Sequence, residues 1–291
     1  MKPVDFDYER PRSVAEVCRL LGQTGREARL LAGGQTLVPL LAMRLARPAV
    51  IIDINGVDEL QGTGTENSSV LIHACTRQSR ALADPIVRAR LPLLAKALSF
   101  VGHAQTRNRG TVGGSLANAD PSAEIGLAAL ALDAEVEARS ARAGRRIPIR
   151  DFFVSPMVTA LAPDECLTSV RFPVAHGVIG TGFQEVSIRR SDFALAAVAV
   201  QLVLERGVCC RLAVSLGGAG ATPVRLTAVE QKLLDTKLGD AELAEAGRLA
   251  HDGIDAVSDI HASAAHRRRI AGALTARAIA EARNEALVGR A

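Results

Sequence analysis

Two short segments decide how this chain folds: residues 32–36, Ala-Gly-Gly-Gln-Thr, and residues 111–115, Thr-Val-Gly-Gly-Ser. Each sets two glycines beside a hydroxyl residue, and the surrounding pattern predicts a strand before it and a helix after it. Glycine lets backbone N–H groups converge on an anion, and a helix that starts there adds its dipole. Either segment alone is more simply a tight turn. The pair predicts a diphosphate held between two loops, with Thr36, Thr111 and Ser115 as hydroxyl donors.

The other common phosphate and catalytic motifs are missing from the sequence. No G-x-G-x-x-G follows a strand, and no G-x-x-x-x-G-K-[ST] occurs, which argues against a dinucleotide fingerprint and a P-loop. A serine-hydrolase elbow nearly fits at residues 113–117, but Ala117 replaces its last glycine. The six histidines show no metal-ligand spacing.

Polar residues crowd the second segment and need partners. They are Arg107, Asn108, Arg109, Asn118, Asp120 and Glu124. A carboxylate at Asp120 or Glu124 can accept hydrogen bonds from ribose or ribityl hydroxyls. A helix-capping role for either residue is an equally good interpretation of the sequence.

The length and composition are those of a globular protein. A chain of 291 residues predicts about two domains. The 48% apolar and 23% charged residues exclude a disordered chain. Although 35 basic residues give a net charge of +4, 31 acidic residues dilute them and aromatics make up only 3%, so no nucleic-acid partner is expected.

Cysteine usage and the N-terminus indicate where the protein works. The five cysteines (18, 75, 166, 209 and 210) contain no C-x-x-C, so they predict free buried thiols and neither an iron–sulfur cluster nor a zinc site. The N-terminus has no apolar signal region, and no uncharged stretch reaches the ~20 residues of a membrane span. We expect a cytoplasmic protein without a membrane span.

Periodicity predicts an α+β chain in which the order of the elements changes near residue 175. Helices and strands are mixed before this point, and three strands followed by three helices come after it. Predicted helices cover 13–24, 36–45, 91–101 and 124–132, and predicted strands cover 28–32, 49–54, 69–74, 134–139, 145–149 and 165–172. Residues 102–124 are predicted as a polar, glycine-rich loop and 174–182 as a linker. Three strands (183–190, 194–205, 208–216) and three helices (223–235, 240–252, 263–286) are predicted to follow.

Four stretches together resemble a known family. They are AGGQTLVPLLAMRLARPAVIIDIN (32–55), RNRGTVGGSLANADPSAE (107–124), ECLTSVRFP (165–173) and GFQEVSIRRSDFALAAVAV (182–200). They resemble the FAD-binding subunit of the molybdenum hydroxylases, which includes the medium subunit of aerobic carbon monoxide dehydrogenase and the flavin domain of xanthine dehydrogenase. The similarity extends over nearly the whole chain, and the two glycine segments in this order are its most specific part.

The resemblance implies a fold and a cofactor. Residues 1–175 are expected to form a two-subdomain FAD-binding domain of the vanillyl-alcohol-oxidase type. Residues 176–291 are expected to form a C-terminal domain with a three-stranded sheet and helices. The class remains α+β, and FAD is expected to bind without a covalent link.

The resemblance also implies cofactor contacts, residue by residue. Diphosphate contacts fall on Ala32, Gly33, Gly34, Gln35 and Thr36 with Leu37 beside them, and on Thr111, Gly113, Gly114 and Ser115 with Arg109 beside them. The ribose contact falls on Glu124, with Asn118 and Asp120 in the same segment.

The flavin ring and its surroundings are expected at four further positions. Val101 matches a residue that touches the ring, and Leu167 matches a backbone or apolar contact. Gln184 stands where some members carry Lys. Phe193 stands where carbon monoxide dehydrogenases carry a Tyr beside the ring, so here the contact is apolar and lacks the hydroxyl.

The implied activity is electron relay. A large subunit with a molybdopterin cofactor oxidises the substrate, a small subunit with two [2Fe–2S] clusters carries the electrons, and FAD passes them to an external acceptor. A dimer of heterotrimers is the expected assembly, and neither a catalytic acid–base residue nor a metal ligand is expected in this chain. Two alternatives remain at this point: a self-contained FAD oxidase or reductase with its own small substrate, and a non-enzymatic protein that binds another nucleotide or a phosphate.

Overall fold

The computed structural model describes residues 2–23 and 27–288, so Thr24, at the end of the first predicted helix, lies outside the described residues. The chain starts with a three-stranded parallel sheet in the order β1-β3-β2. Its elements are β1 (Asp7–Glu9), α1 (Val14–Leu21), β2 (Ala28–Leu31), α2 (Leu37–Ala42) and β3 (Val50–Asp53).

A larger antiparallel sheet follows, in the order β4-β5-β10-β6-β7, together with a small β8-β9 pair. The elements, in chain order, are β4 (Thr63–Glu66), β5 (Ser69–His73), α3 (Gln78–Ala83), α4 (Pro85–Arg90), α5 (Pro92–Phe100), α6 (Ala104–Arg109), α7 (Val112–Asn118), α8 (Glu124–Ala131), β6 (Glu135–Arg139), β7 (Gly144–Pro148), β8 (Phe153–Ser155), β9 (Val158–Thr159) and β10 (Cys166–Pro173).

The C-terminal part is an antiparallel sheet in the order β11-β12-β13-β14 with three helices. Its elements are β11 (Val178–Ser187), β12 (Ala194–Glu205), β13 (Val208–Gly217), β14 (Val224–Arg225), α9 (Thr227–Leu233), α10 (Asp240–Gly253) and α11 (Ala264–Val288). Two of the three long strands have the predicted bounds to within one residue, whereas β11 begins and ends earlier than the predicted 183–190; the two-residue β14 extends their sheet. The predicted linker 174–182 is wrong beyond residue 177, because β11 starts at Val178.

The first helix begins at a side-chain cap. Ser13 caps α1 by accepting a hydrogen bond from the backbone N–H of Glu16. The Glu16 carboxylate accepts from the N–H of Arg12, one residue before the position that a capping box uses.

The predicted loop over 102–124 is wrong, because it contains α6 and α7. Both helices are short, at six and seven residues, and α7 carries two glycines in its first turn. A helix this short shows too few turns for its apolar period to be visible in the sequence. The second glycine segment is therefore the start of a helix.

Strand β12 is buried on both faces and joins the two halves of the molecule. Ala197 and Ala199 belong to the core that the first 175 residues build, whereas Val198 and Val200 belong to the core under α10 and α11. Small residues on one face allow the alanine-rich α8 to pack closely. The cores therefore meet within β12, downstream of the predicted boundary at residue 175.

A polar cluster ties α5 to the C-terminal helix. The Lys96 ammonium donates to the backbone oxygen of Thr181 at 2.7 Å and to Glu281 at 2.9 Å, and it also pairs with Glu285. Gln184 donates to Glu281 at 2.8 Å. These charge-assisted hydrogen bonds, at a site only about a third exposed, fix the orientation of α11 over β11.

Strand β11 and α11 touch through glycine. A Cβ added at Gly182 would lie 2.0 Å from the backbone oxygen of Ala278. We expect Gly182→Ala to lower the free energy of unfolding by about 2–3 kcal/mol, because either the helix or the strand must move. The matched change is Gly64→Ala in β4, where a Cβ meets nothing within 4 Å, and it should cost less than about 0.5 kcal/mol. Urea unfolding midpoints of both variants check this, and equal midpoints would contradict it.

Candidate functional site

The first glycine segment, residues 32–36, connects β2 to α2. Gly34 adopts a φ of 73°, which favours glycine. The backbone N–H groups of residues 33–36 make no hydrogen bond to any other described residue. The Thr36 side chain does not cap α2, so its hydroxyl is not used there. Four unpaired donors in one turn are what an anion-binding loop requires.

The second glycine segment, residues 111–115, already uses the N–H groups of residues 112–115 in hydrogen bonds within the protein. The N–H of Val112 donates to the Thr76 oxygen, and the N–H of Gly113 donates to the Ala74 oxygen at 2.9 Å. The hydroxyl oxygen of Thr111 accepts from the N–H of Gly114 at 3.0 Å and so caps α7. The prediction that both segments offer free N–H groups therefore fails for residues 112–115 of the second one, because backbone oxygens just after β5 and the Thr111 cap already occupy them.

The first segment is in direct backbone contact with the residues that precede the second. A Cβ at Gly33 would lie 2.7 Å from the backbone oxygen of Arg109 and 2.8 Å from Cα of Gly110. A Cβ at Gly113 would lie 2.6 Å from Cα of Ala74, just after β5. Glycine is required at both positions, because a side chain at Gly33 would push the first segment away from the Arg109–Gly110 turn and one at Gly113 would push α7 away from the chain after β5.

A cavity of about 630 Å³ lies between the segments. Its wall contains all the predicted cofactor residues except Arg109 and Gln184, namely Ala32, Gly33, Gly34, Gln35, Thr36, Leu37, Val101, Thr111, Gly113, Gly114, Ser115, Asn118, Asp120, Glu124, Leu167 and Phe193. The volume falls within the range of small-molecule sites. The fold thus brings residues from positions 32 to 193 around one cavity.

Arg109 and Gln184 lie off the cavity wall for identifiable reasons. The Arg109 side chain is exposed at the end of α6, and its backbone oxygen accepts from the guanidinium of Arg77. The Gln184 amide donates to Glu281 on α11 and faces that helix. Both roles in cofactor binding stay predictions, and neither has a side-chain position that favours them.

The two acidic candidates differ in their partners. Asp120 accepts the N–H of Ser122 at 2.9 Å, which is a local turn contact. Glu124 opens α8 without a side-chain cap at the preceding Ala123. Burial raises the pKa of Glu124 to about 7, with a smaller contribution from the charge of Asp120. Of the two, Glu124 has the carboxylate that needs a further hydrogen-bond donor.

A second half-buried acid lies near Glu124. One carboxylate oxygen of Glu185 is inaccessible and has no hydrogen-bond partner among the described residues. Burial, and then the nearby charge of Glu124, raise the pKa of Glu185 to about 8. Glu185 is therefore largely uncharged at neutral pH and adds little negative potential near a bound anion.

Sequence reasoning missed several residues of the cavity wall, and Gln78 is the most informative. It is 5% exposed, and its side-chain oxygen has no partner among the described residues. A buried acceptor without a donor is a place for a ligand hydroxyl. Together with the four free N–H groups, this orphan atom fits a cofactor that carries a diphosphate and hydroxyl groups. No sequence signal singles out Gln78, since it lies in an ordinary helical stretch.

The mouth of the cavity is apolar and open. Phe193 lies on the wall yet is 75% exposed, and Met157 on the β8-β9 turn is 48% exposed. Val101 and Leu167 lie deeper and are nearly buried. A planar ring placed between them would cover apolar surface that now faces solvent.

The cysteines do not form a centre. Cys18, Cys75, Cys166 and Cys209 are buried and Cys210 is exposed, so the neighbours 209 and 210 point to opposite faces of β13. Within residues 2–23 and 27–288 no group of three or more His, Cys, Asp or Glu side chains is placed to hold a metal ion. In the same ranges no helix combines the length and apolar character needed to span a bilayer.

Comparison with known proteins matches both parts of the chain. Residues 4–175 match the family described as FAD binding domain in molybdopterin dehydrogenase. Residues 181–282 match the CO dehydrogenase flavoprotein C-terminal domain.

Similar proteins cover the whole length. The 6-hydroxypseudooxynicotine dehydrogenase complex subunit alpha of Paenarthrobacter nicotinovorans is 38% identical over 98% of this chain and 97% of its own. The carbon monoxide dehydrogenase medium chain of Hydrogenophaga pseudoflava is 33% identical over 96% of this chain and 97% of its own.

Solved structures agree closely with the fold. A chain of carbon monoxide dehydrogenase from Hydrogenophaga pseudoflava superimposes with a TM-score of 0.95 at 33% identity, covering 98% of this chain and 99% of that one. A chain of quinoline 2-oxidoreductase from Pseudomonas putida 86 gives 0.94 at 33% identity, covering 99% and 100%.

Three findings lead to one conclusion. The family match covers more than half the chain, the relatives match it over nearly their full length, and a cavity lies between the two glycine segments. This chain belongs to the FAD-binding medium subunits of the molybdopterin-dependent dehydrogenases, and FAD is its cofactor.

Proposed function

We propose that this chain receives electrons from the [2Fe–2S] clusters of a partner subunit and passes them through FAD to an external acceptor. The observation that carries the proposal is the cavity between the two glycine segments, with four unpaired N–H groups on one side.

Different residues hold different parts of FAD. When bound, FAD supplies the capacity to store two electrons. The N–H groups of residues 33–36 receive the diphosphate, and the Thr36 and Ser115 hydroxyls donate beside them. Glu124 accepts from the ribose, while Val101, Leu167 and Phe193 enclose the ring. The open edge at Phe193 leaves the ring accessible to a partner or an acceptor.

The relatives support a multi-subunit assembly. Their names describe a subunit of a 6-hydroxypseudooxynicotine dehydrogenase complex, the medium chain of a carbon monoxide dehydrogenase and the medium subunit of a nicotine 6-hydroxylase. We propose a large molybdopterin-containing subunit and a small iron–sulfur subunit as partners, in a dimer of heterotrimers in the cytoplasm. We also propose residues 1–175 as the FAD-binding domain and residues 176–291 as the C-terminal domain.

The first experiment is an absorption spectrum of the purified chain after incubation with FAD and desalting. Retained flavin bands support the cofactor site. The complex co-purified with its partners is then mixed in turn with 6-hydroxypseudooxynicotine, nicotine and carbon monoxide, which the names of the relatives give. Flavin bleaching that requires the molybdenum and iron–sulfur subunits supports electron relay. Bleaching of the isolated chain by a small organic substrate would instead make it a self-contained FAD enzyme.

The close contact at Gly33 gives a prediction for cofactor retention. Gly33→Ala places a methyl group 2.7 Å from the Arg109 oxygen, so we expect loss of most bound FAD. Gly56→Ala is the matched control, because a Cβ there meets nothing within 4 Å. Flavin content per chain after desalting measures both. Equal flavin content in the two variants would contradict the two-segment site.

The pKa of Glu124 predicts a pH dependence of FAD affinity. A carboxylate accepts hydroxyl hydrogen bonds more strongly than a carboxylic acid does, so binding favours the ionised form. Since the pKa is about 7 in the free protein, the dissociation constant should rise as the pH falls below 7. Glu124→Gln should bind roughly tenfold more weakly at pH 8 and lose this pH dependence.

Fluorescence titration with FAD from pH 5.5 to 8.5 makes this measurement. Glu165→Gln is the control, because Glu165 also lies on the cavity wall but its hydrogen bonds with Arg145 lower its pKa. That variant should keep the pH dependence of the unmodified protein. A flat profile in the unmodified protein would remove Glu124 from the site.

A further inference from the structure

The two glycine segments belong to different sheets, so something must set the gap between them. The first segment extends β2 of the parallel sheet. The second opens α7, whose first N–H groups bind the chain just after β5 of the antiparallel sheet. A diphosphate between them is bound well only if their separation is fixed before the ligand arrives.

Asn55 holds the first segment from behind. It follows β3, and its side-chain amide donates to the backbone oxygen of Ala32 at 2.8 Å and to that of Leu31 at 3.2 Å. Asp53 accepts from both the backbone and side-chain nitrogens of Asn55, at 2.9 and 2.6 Å. These contacts leave the amide oxygen of Asn55 free to face the other segment.

Arg77 completes the bridge to the second segment. Its guanidinium donates to the amide oxygen of Asn55 at 2.7 Å and also to the backbone oxygen of Arg109. The backbone of Arg77 forms an antiparallel bridge with Thr111. One chain of hydrogen bonds thus runs from Ala32 through Asn55 and Arg77 to Arg109.

We propose that Asn55 and Arg77 form a clamp that fixes the separation of the glycine segments and so sets the affinity for FAD, an inference that rests on the proposed function. Neither residue lies on the cavity wall, so both are positioning residues that act through the backbone of the segments. The clamp joins a neutral amide to a cation, and hydrogen bonds of this type are among the stronger ones in proteins.

The test is FAD titration of the full chain carrying Asn55→Ala, Arg77→Met, Arg77→Lys or Asn55→Ala with Arg77→Met. Each of the single changes Asn55→Ala and Arg77→Met should raise the dissociation constant about tenfold or more. The double variant should bind no more weakly than the worse single one, because either change alone breaks the clamp. Arg77→Lys keeps the charge but not the planar pair of donors, so it should still bind at least about fivefold more weakly.

Arg283→Met is the matched control, because that guanidinium also holds a backbone oxygen, of Leu238 at 2.6 Å, in the C-terminal half. It should leave the dissociation constant unchanged. Melting of the cofactor-free variants should show similar shifts for Arg77→Met and Arg283→Met, so that the difference between them appears only in FAD binding. Arg77→Lys keeps the test possible if Arg77→Met does not fold.

Two results would overturn the clamp. One is FAD affinity within twofold of the unmodified protein in Asn55→Ala and Arg77→Met. The other is a double variant in which the two factors multiply, since independent residues would give that result. Failure of the unmodified chain to bind FAD at all would overturn the proposed function first and the clamp with it.

Discussion

The structure depends on one backbone contact, between Gly33 and the turn at Arg109–Gly110. There is no room at this contact for a side chain, because a Cβ at Gly33 would be 2.7 Å from a carbonyl oxygen. This contact joins the parallel sheet to the antiparallel sheet, and the cavity lies between the two sheets. The two sides are not equivalent, since the N–H groups of residues 33–36 are unpaired among the described residues, whereas those of residues 112–115 are paired. One segment supplies donors, and the other supplies the rigid surface against which they are aligned.

The C-terminal half is part of the site and not an appendage to it. Strand β12 turns Ala197 and Ala199 towards the first core and its larger residues towards the second. Phe193, just before β12, reaches the mouth of the cavity. Lys96 and its two glutamate partners on α11 hold this arrangement in place. Helix packing far from the glycine segments therefore supports the strand that begins next to Phe193.

The sequence predicts the long elements and most of the cavity wall, because the regular spacing of apolar residues and the pairs of glycines are signals carried by short stretches of sequence. It fails at 102–124, where α6 and α7 are too short for a period to emerge. It also cannot show that the N–H groups near Gly113 are already used, since their partners at Ala74 and Thr76 lie nearly forty residues away and are backbone atoms. The sequence does not reveal the role of Asn55 and Arg77 for the same reason: both act on backbone carbonyl oxygens, which every residue has. Gln184 illustrates the reverse case, in which a resemblance gives a position but the fold directs its side chain to α11.

The position of α11 has a consequence for local opening of the molecule. The backbone of β11 at Gly182 fits directly against this helix, and the larger residues of β12 pack in the core beneath it. Strand β12 begins next to Phe193, which lies on the cavity wall. Detachment of α11 from the sheet therefore uncovers one face of β11 and β12 and loosens the mouth of the cavity, while the contact between Gly33 and the Arg109–Gly110 turn stays intact.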